Sequence, residues 1–224
     1  PEMKAAFDKS TLLVLETDTR SSNPGELAAL IRKHALAPAG QTLASRMSPE
    51  EHKKLADLAT AVGIDPAQLD GFQPWYAGTV LTVQYAQKKG LAAGEGVETI
   101  LTKQADTEKK PLAFLETLDE QIRFLAELPQ DVQMKMLMAT IDEVKTADTE
   151  LEQMQKAWAT GDTASMAKLF DKEIKDVPEL RQTLITDRNK RWAEEIAKLM
   201  AGKGEVFIAV GAGHLVGPDS VQVQ

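Results

Sequence analysis

The chain has 224 residues, 43% hydrophobic and 27% charged, with 26 Lys and Arg against 34 Asp and Glu and a formal net charge of −8. An acidic surface repels a phosphate backbone, and no Lys/Arg stripe interleaved with aromatics offsets it, so nucleic-acid binding is not expected. The composition suits a globular core rather than disorder, no run approaches the ~18 apolar residues of a membrane span, and the absence of Cys removes disulfides, thiolate metal sites and thiol nucleophiles.

In chain order, the first predicted element is a strand from Thr11 to Leu15, a short apolar run. Asn23-Pro24 opens a helix, and Ser48-Pro49-Glu50-Glu51 is a capping box with Pro at the first helical position, leading a helix that Gly63 closes. Gln73-Pro74-Trp75 begins a helix to about Lys89 that Gly90 stops, and another runs from Gly96 to about Glu108. A second strand is predicted at Pro111 to Leu115, followed by the capping box Thr117-Leu118-Asp119-Glu120 and a helix to about Leu128. From about Gln130 to Lys172, apolar residues recur at helical spacing up to a break at Gly161-Asp162, predicting a long helical hairpin. The last helix is expected from about Pro178 to Met200 with Asp176 as its cap, and the last strand from Val206 to Val210.

Apolar runs this short suit strands buried on both faces of a mainly parallel sheet with helices packed over it. The predicted class is therefore α/β, with helix-rich α+β as the alternative, in a single domain spanning 1–224 that carries a helical insertion over roughly 118–175. Thr11-Leu12-Leu13-Val14-Leu15-Glu16-Thr17 and Pro111-Leu112-Ala113-Phe114-Leu115-Glu116-Thr117 share Leu-x-x-Leu-Glu-Thr, which reads as two pseudo-equivalent halves. Ligands of open α/β sheets sit off the carboxyl ends of the strands, where Glu16, Glu116 and His214 can converge. A Glu at a loop start is equally explained as a solvated residue.

At about 100° per residue, Arg188 falls in the same stripe of the last helix as Leu184, Trp192 and Leu199, with Asn189 at its border. A guanidinium on a core-facing stripe needs a carboxylate or an anionic ligand, unless its head snorkels to solvent. In Gly211-Ala212-Gly213-His214 the two glycines permit a tight turn and close approach of backbone to a ligand, and an imidazole there can bind a metal or act as a base. His34 and His52 lie in charged helical contexts and are expected to be solvated.

These residues, in this order, are similar to the TraB/PrgY/GumN family, which includes the Tiki proteins. The matching motifs are Leu13-Val14-Leu15-Glu16, Gln73-Pro74-Trp75, Gly96-Val97-Glu98, Lys110-Pro111, Leu115-Glu116-Thr117 with Gln121, Arg188-Asn189 with Trp192, and Gly211-Ala212-Gly213-His214-Leu215-Val216-Gly217. The resemblance implies a pair of Gly-x-x-His motifs with acidic residues and an Arg at one site, and a metal-dependent peptidase using manganese or cobalt. By position, His214 is then a metal ligand or base, Glu16 a metal ligand or acid/base group, Glu116 a further such candidate, and Arg188 a substrate or oxyanion stabiliser. Asn189, Gly211 and Gly213 become substrate-binding positions. A periplasmic or cell-envelope location is implied as well, with any signal peptide upstream of Pro1. The family's first Gly-x-x-His precedes the segment matching Leu13 to Glu16, so an N-terminal segment carrying it, and a stretch near Val221, are expected to lie outside the 224 residues.

The leading functional expectation is thus a metal-dependent hydrolase acting on a peptide or small molecule. The alternative is a non-catalytic ligand- or metal-binding protein of the same fold. A third is an interaction protein working through Met134, Met136, Met138 and Met154.

Overall fold

The computed structural model describes residues 2–18, 20, 24–91, 96–144, 147–174 and 177–224. Its elements are α1 (Glu2–Lys9), β1 (Leu12–Leu15), α2 (Pro24–His34), α3 (Pro49–Val62), α4 (Pro74–Lys88), α5 (Val97–Glu108), β2 (Leu112–Phe114), α6 (Leu118–Ala126), α7 (Gln130–Glu143), α8 (Ala147–Thr160), α9 (Thr163–Ile174), α10 (Pro178–Arg181), α11 (Asp187–Met200) and β3 (Val206–Ala209). They divide into two compact units, one of residues 1–21, 94–118 and 153–224 and the other of 22–93 and 119–152.

The first unit is built on a parallel sheet of order β2-β1-β3. Leu13, Val14 and Leu15 of β1 pair with Leu112, Ala113 and Phe114, and on the other edge with Phe207, Ile208 and Ala209. The α/β expectation holds, but burial on both faces holds only for the central strand. Leu13, Val14 and Leu15 are almost inaccessible, whereas every residue of β2 and β3 is half-buried, because an edge strand has a neighbour on one side only. Phe7 of α1 packs edge-on against Phe207 at 5.5 Å and joins Leu13, Leu15 and Ala105 in the core.

Helix α1 was not foreseen, since its eight residues offer a single buried anchor, Phe7. Lys110 holds its end: the side chain, 6% exposed, lies 3.7 Å over the Phe7 ring and donates from Nζ to the Phe7 carbonyl and to Ser10 Oγ. Lys110→Met keeps the stem but removes the charged donor that Ser10 Oγ shares with the Phe7 carbonyl, which keeps the Ser10 amide and hydroxyl, so a loss of about 1–3 kcal/mol is expected in urea denaturation. An unchanged midpoint would show that water replaces the ammonium.

The second unit is helical. Ser48 accepts from the Glu51 amide while the Glu51 carboxylate accepts from the Ser48 amide, and Gly63 ends α3 in the left-handed conformation, as expected. Leu55, Leu58, Leu69, Leu81, Leu137 and Ile141 form its core, with Met134 and Met138 packed against it. Those methionines are therefore core filler, and Met136 and Met154 are half-buried as well.

Two helical expectations are corrected. The hairpin over 130–172 breaks twice, after Glu143 as well as at Gly161, because Asp148 and Glu150 give α8 its own acidic first turn. The last helix is interrupted by a π-turn over Gln182–Thr186, which separates α10 from α11. Asn23 and Asp176, expected as caps, lie outside the described residues.

Candidate functional site

The chemistry gathers at the carboxyl ends of the strands of the first unit. Glu16 follows β1, Glu116 lies just beyond β2, and His214 sits in the single 3-10 turn after β3. The amides of Leu115 and Glu116 donate to the Leu15 and Glu16 carbonyls, which carries the β1–β2 ladder past the strands and holds both carboxylates level with the site.

Arg188 is the centre of the cluster and is buried. Its Nε reaches both oxygens of Glu116 at 3.1 Å, and its Nη2 donates to Glu116 Oε2 at 2.8 Å and Glu16 Oε2 at 2.9 Å. Its Nη1 donates to the Leu184 carbonyl and to His214 Nε2, both at 3.1 Å. All five N–H donors of the guanidinium thereby have partners. Leu184 belongs to the π-turn, and such turns recur where a helix is locally re-aimed at a site.

The two carboxylates differ. Glu116 has a side chain only 1% exposed and takes a second guanidinium, that of Arg191, at 2.7 Å. Glu16 is 22% exposed and takes the Gly211 amide on Oε1 at 2.6 Å. A Cβ on Gly211 would stand 3.1 Å from that oxygen, so the missing side chain is what lets backbone and carboxylate meet.

His214 is fixed by Asn189. The amide nitrogen of Asn189 donates to the carbonyls of His214 and Asp219, which turns its Oδ1 toward His214 Nδ1 at 2.7 Å. Nδ1 therefore carries the proton and Nε2 presents a lone pair to Arg188. Burial first, and the Arg188 charge second, push the imidazole down to about 4, against a smaller upward pull from Glu116. His214 is neutral at pH 7. Its ring lies 4.2 Å from that of Trp192, over which the Arg188 guanidinium also stacks at 4.7 Å.

Glu16, Glu116, Arg188, Asn189, Gly211 and His214, all singled out from the sequence, thus meet in one place, while Gly213 turns its backbone to the cavity beside it. Glu98 stands elsewhere, exposed in the first turn of α5. Arg191 was missed; its position three residues after Arg188 on the same helix was the available signal. His34 corrects an expectation. Its side chain is 12% exposed and its Nε2 lies 3.0 Å from Asp119, because α2 presents it to that carboxylate, while His52 is half-buried with its Nε2 3.9 Å from Asp70.

A divalent ion would need Glu16, Glu116 and His214 Nε2 to converge on one point. Each of them is instead spent on the Arg188 guanidinium, and no group of three His, Asp or Glu among the described residues could hold an ion. The described residues do not fit the manganese or cobalt that the resemblance implies.

A family model described as TraB/PrgY/gumN matches residues 1–224. The chain is 28% identical over 209 residues to the uncharacterized protein YbaP of Escherichia coli (strain K12), covering 92% of this chain and 73% of that protein. The same figures hold for YbaP of Shigella flexneri. An uncharacterized protein of Treponema pallidum (strain Nichols) is 24% identical over 193 residues, covering 81% of this chain and 58% of that one. No solved structure matches.

Proposed function

The chain belongs to the TraB/PrgY/gumN family, and from that premise we propose that it is a hydrolase whose site is the Glu16–Arg188–His214 cluster, with a peptide-type bond as its substrate. The observation that carries this reading is a solvent-reaching carboxylate, Glu16, placed beside a guanidinium that a second, fully buried carboxylate holds in position. Glu16 takes a proton from water, the oxygen attacks the carbonyl, and Arg188 faces the charge that develops there. The C–N bond then breaks, and the proton passes from Glu16 to the leaving amine. Neutral His214 acts as a positioning residue, fixing Nη1 of Arg188 through Nε2. No step runs through a metal.

The test is turnover of a broad peptide panel by the purified chain, with Mn²⁺, with Co²⁺ and with a chelator. Glu16→Gln, which keeps size and removes the base, is expected to lower kcat by roughly 10²–10⁴ with the far-UV circular dichroism unchanged. Equal turnover in the variant overturns the assignment. The fully occupied donors of Arg188 favour one rival, a non-catalytic binding protein. Peptide or small-molecule binding without turnover would decide for it. Among the described residues no helix is long and apolar enough to cross a membrane. The periplasm or cell envelope is the compartment we propose, supported by the resemblance and tested by fractionation.

A further inference from the structure

Beside the cluster lies a cavity of about 180 Å³, walled by Phe170 of α9, Leu184 and Ile185 of the π-turn, and Gly213 and Val216 after β3, with Ala167 of α9 also on its lining. That is below the roughly 300–1,000 Å³ of pockets that enclose a whole small ligand, and it suits one side chain. The walls are apolar apart from Arg181 and Asp171, which close on each other as an ion pair, while Arg181 also holds Asp219 at 2.8 Å. No unpaired charge therefore faces an apolar occupant there.

Two of its walls are direct extensions of the proposed reacting groups. Gly213 is the residue before His214, and the Leu184 carbonyl accepts a hydrogen bond from Arg188. Gly213 also keeps the space open, since a Cβ there would touch Phe170 and Ile185 at 3.5 and 3.6 Å. A group seated between Leu184 and Gly213 is held one residue from His214 and beside the residue whose carbonyl anchors Arg188. The π-turn thus does two things, giving Arg188 a carbonyl anchor and offering the neighbouring leucine and isoleucine side chains to the cavity.

Resting on the hydrolase reading, we infer that this cavity is the specificity pocket of the site and takes a leucine- or phenylalanine-sized apolar side chain next to the bond that is cleaved. Selectivity then comes from burial of that side chain, and each CH₂ it adds raises affinity modestly, because apolar discrimination is weak per methylene.

The experiment compares peptides that differ only in Gly, Ala, Leu or Phe beside the cleaved bond, using the whole chain. Wild type is expected to prefer Leu and Phe over Gly by at least tenfold in kcat/KM. Ala167→Phe fills the cavity from its helical wall without touching the cluster. It is expected to abolish that preference through the Leu and Phe substrates alone, with Gly turnover unchanged. A preference that survives Ala167→Phe overturns the pocket and leaves the hydrolase reading intact. If no peptide is turned over, the hydrolase reading fails, and the cavity is judged by binding instead. N-acetyl-leucine amide should then shift the Ala167 and Ile185 methyl resonances in wild type, and Gly-based N-acetyl amide should not. Equal shifts, or none, overturn the proposal. A second filling variant, Ile185→Phe, separates a specific effect from misfolding, since both variants should melt cooperatively.

Discussion

Arg188→Met is expected to destabilise the chain by about 3–5 kcal/mol, because removing one partner of a buried ion pair leaves the other charge uncompensated. Glu116 bears most of the loss: its side chain is 1% accessible and, among the described residues, would keep only Arg191, itself half-exposed, as a cationic partner. His214 Nε2 and the Leu184 carbonyl would lose a donor at the same time. Guanidinium denaturation should show the loss as a lower midpoint at an unchanged slope. The double variant Glu116→Gln/Arg188→Met should recover part of it, since the charge left behind is then gone. A single-variant loss below about 1 kcal/mol would mean that the cluster is solvated like a surface pair. Any activity should vanish with the arginine, but the stability result is independent of substrate.

Acid is expected to weaken the fold through His214 by about 3 kcal/mol between pH 7 and pH 4. The folded chain holds the imidazole neutral down to about 4, while the unfolded chain takes up a proton near 6.5. Between those values the unfolded state binds more protons, so stability falls as pH falls through that window. Above it both states are neutral, and below it both are charged. The size follows from a shift of about two and a half pH units at ~1.4 kcal/mol each. Carboxylates titrate lower in the same range, so the informative quantity is the difference between wild type and His214→Gln. That difference should change by about 3 kcal/mol over the window. A parallel pair of pH curves would show that the imidazole is hydrated in the folded chain.

Much of the site was readable because parallel strands deliver their carboxyl ends to one place. Three apolar runs located the strands, and the first polar residues after them, Glu16, Glu116 and His214, had to lie close together. Arg188 was readable for a different reason: a charge on an apolar stripe has to be paired, and the carboxylates were the available partners. The repeated Leu-Glu-Thr also proved spatial, although the ladder pairs Leu15 with Phe114 and not with Leu115, so the copies are staggered by one residue.

What escaped depends on contacts that no local pattern encodes. A constant 100° per residue assumes one kind of helix, and the π-turn over Gln182–Thr186 violates it without a Gly or Pro to announce it. Arg191 sits on the exposed side of α11 and is drawn to Glu116 by charge, not by burial. His34 resembles any helical histidine until Asp119, far along the chain, is placed beside it. The tautomer of His214 follows from two carbonyls that orient Asn189, one of them on Asp219.

The strand order has a temporal side. β1 is the middle strand, yet β3, which flanks it, ends at Ala209, and the amide that Glu16 accepts from belongs to Gly211. At about 5–20 residues per second on a ribosome, roughly 10–40 s separate the emergence of the two. Throughout that interval one flank of an apolar strand waits without its partner, and Glu16 waits for Arg188 through most of it. The site is therefore completed late, once the segment after β3 has brought Gly211 to Glu16 and His214 to Arg188.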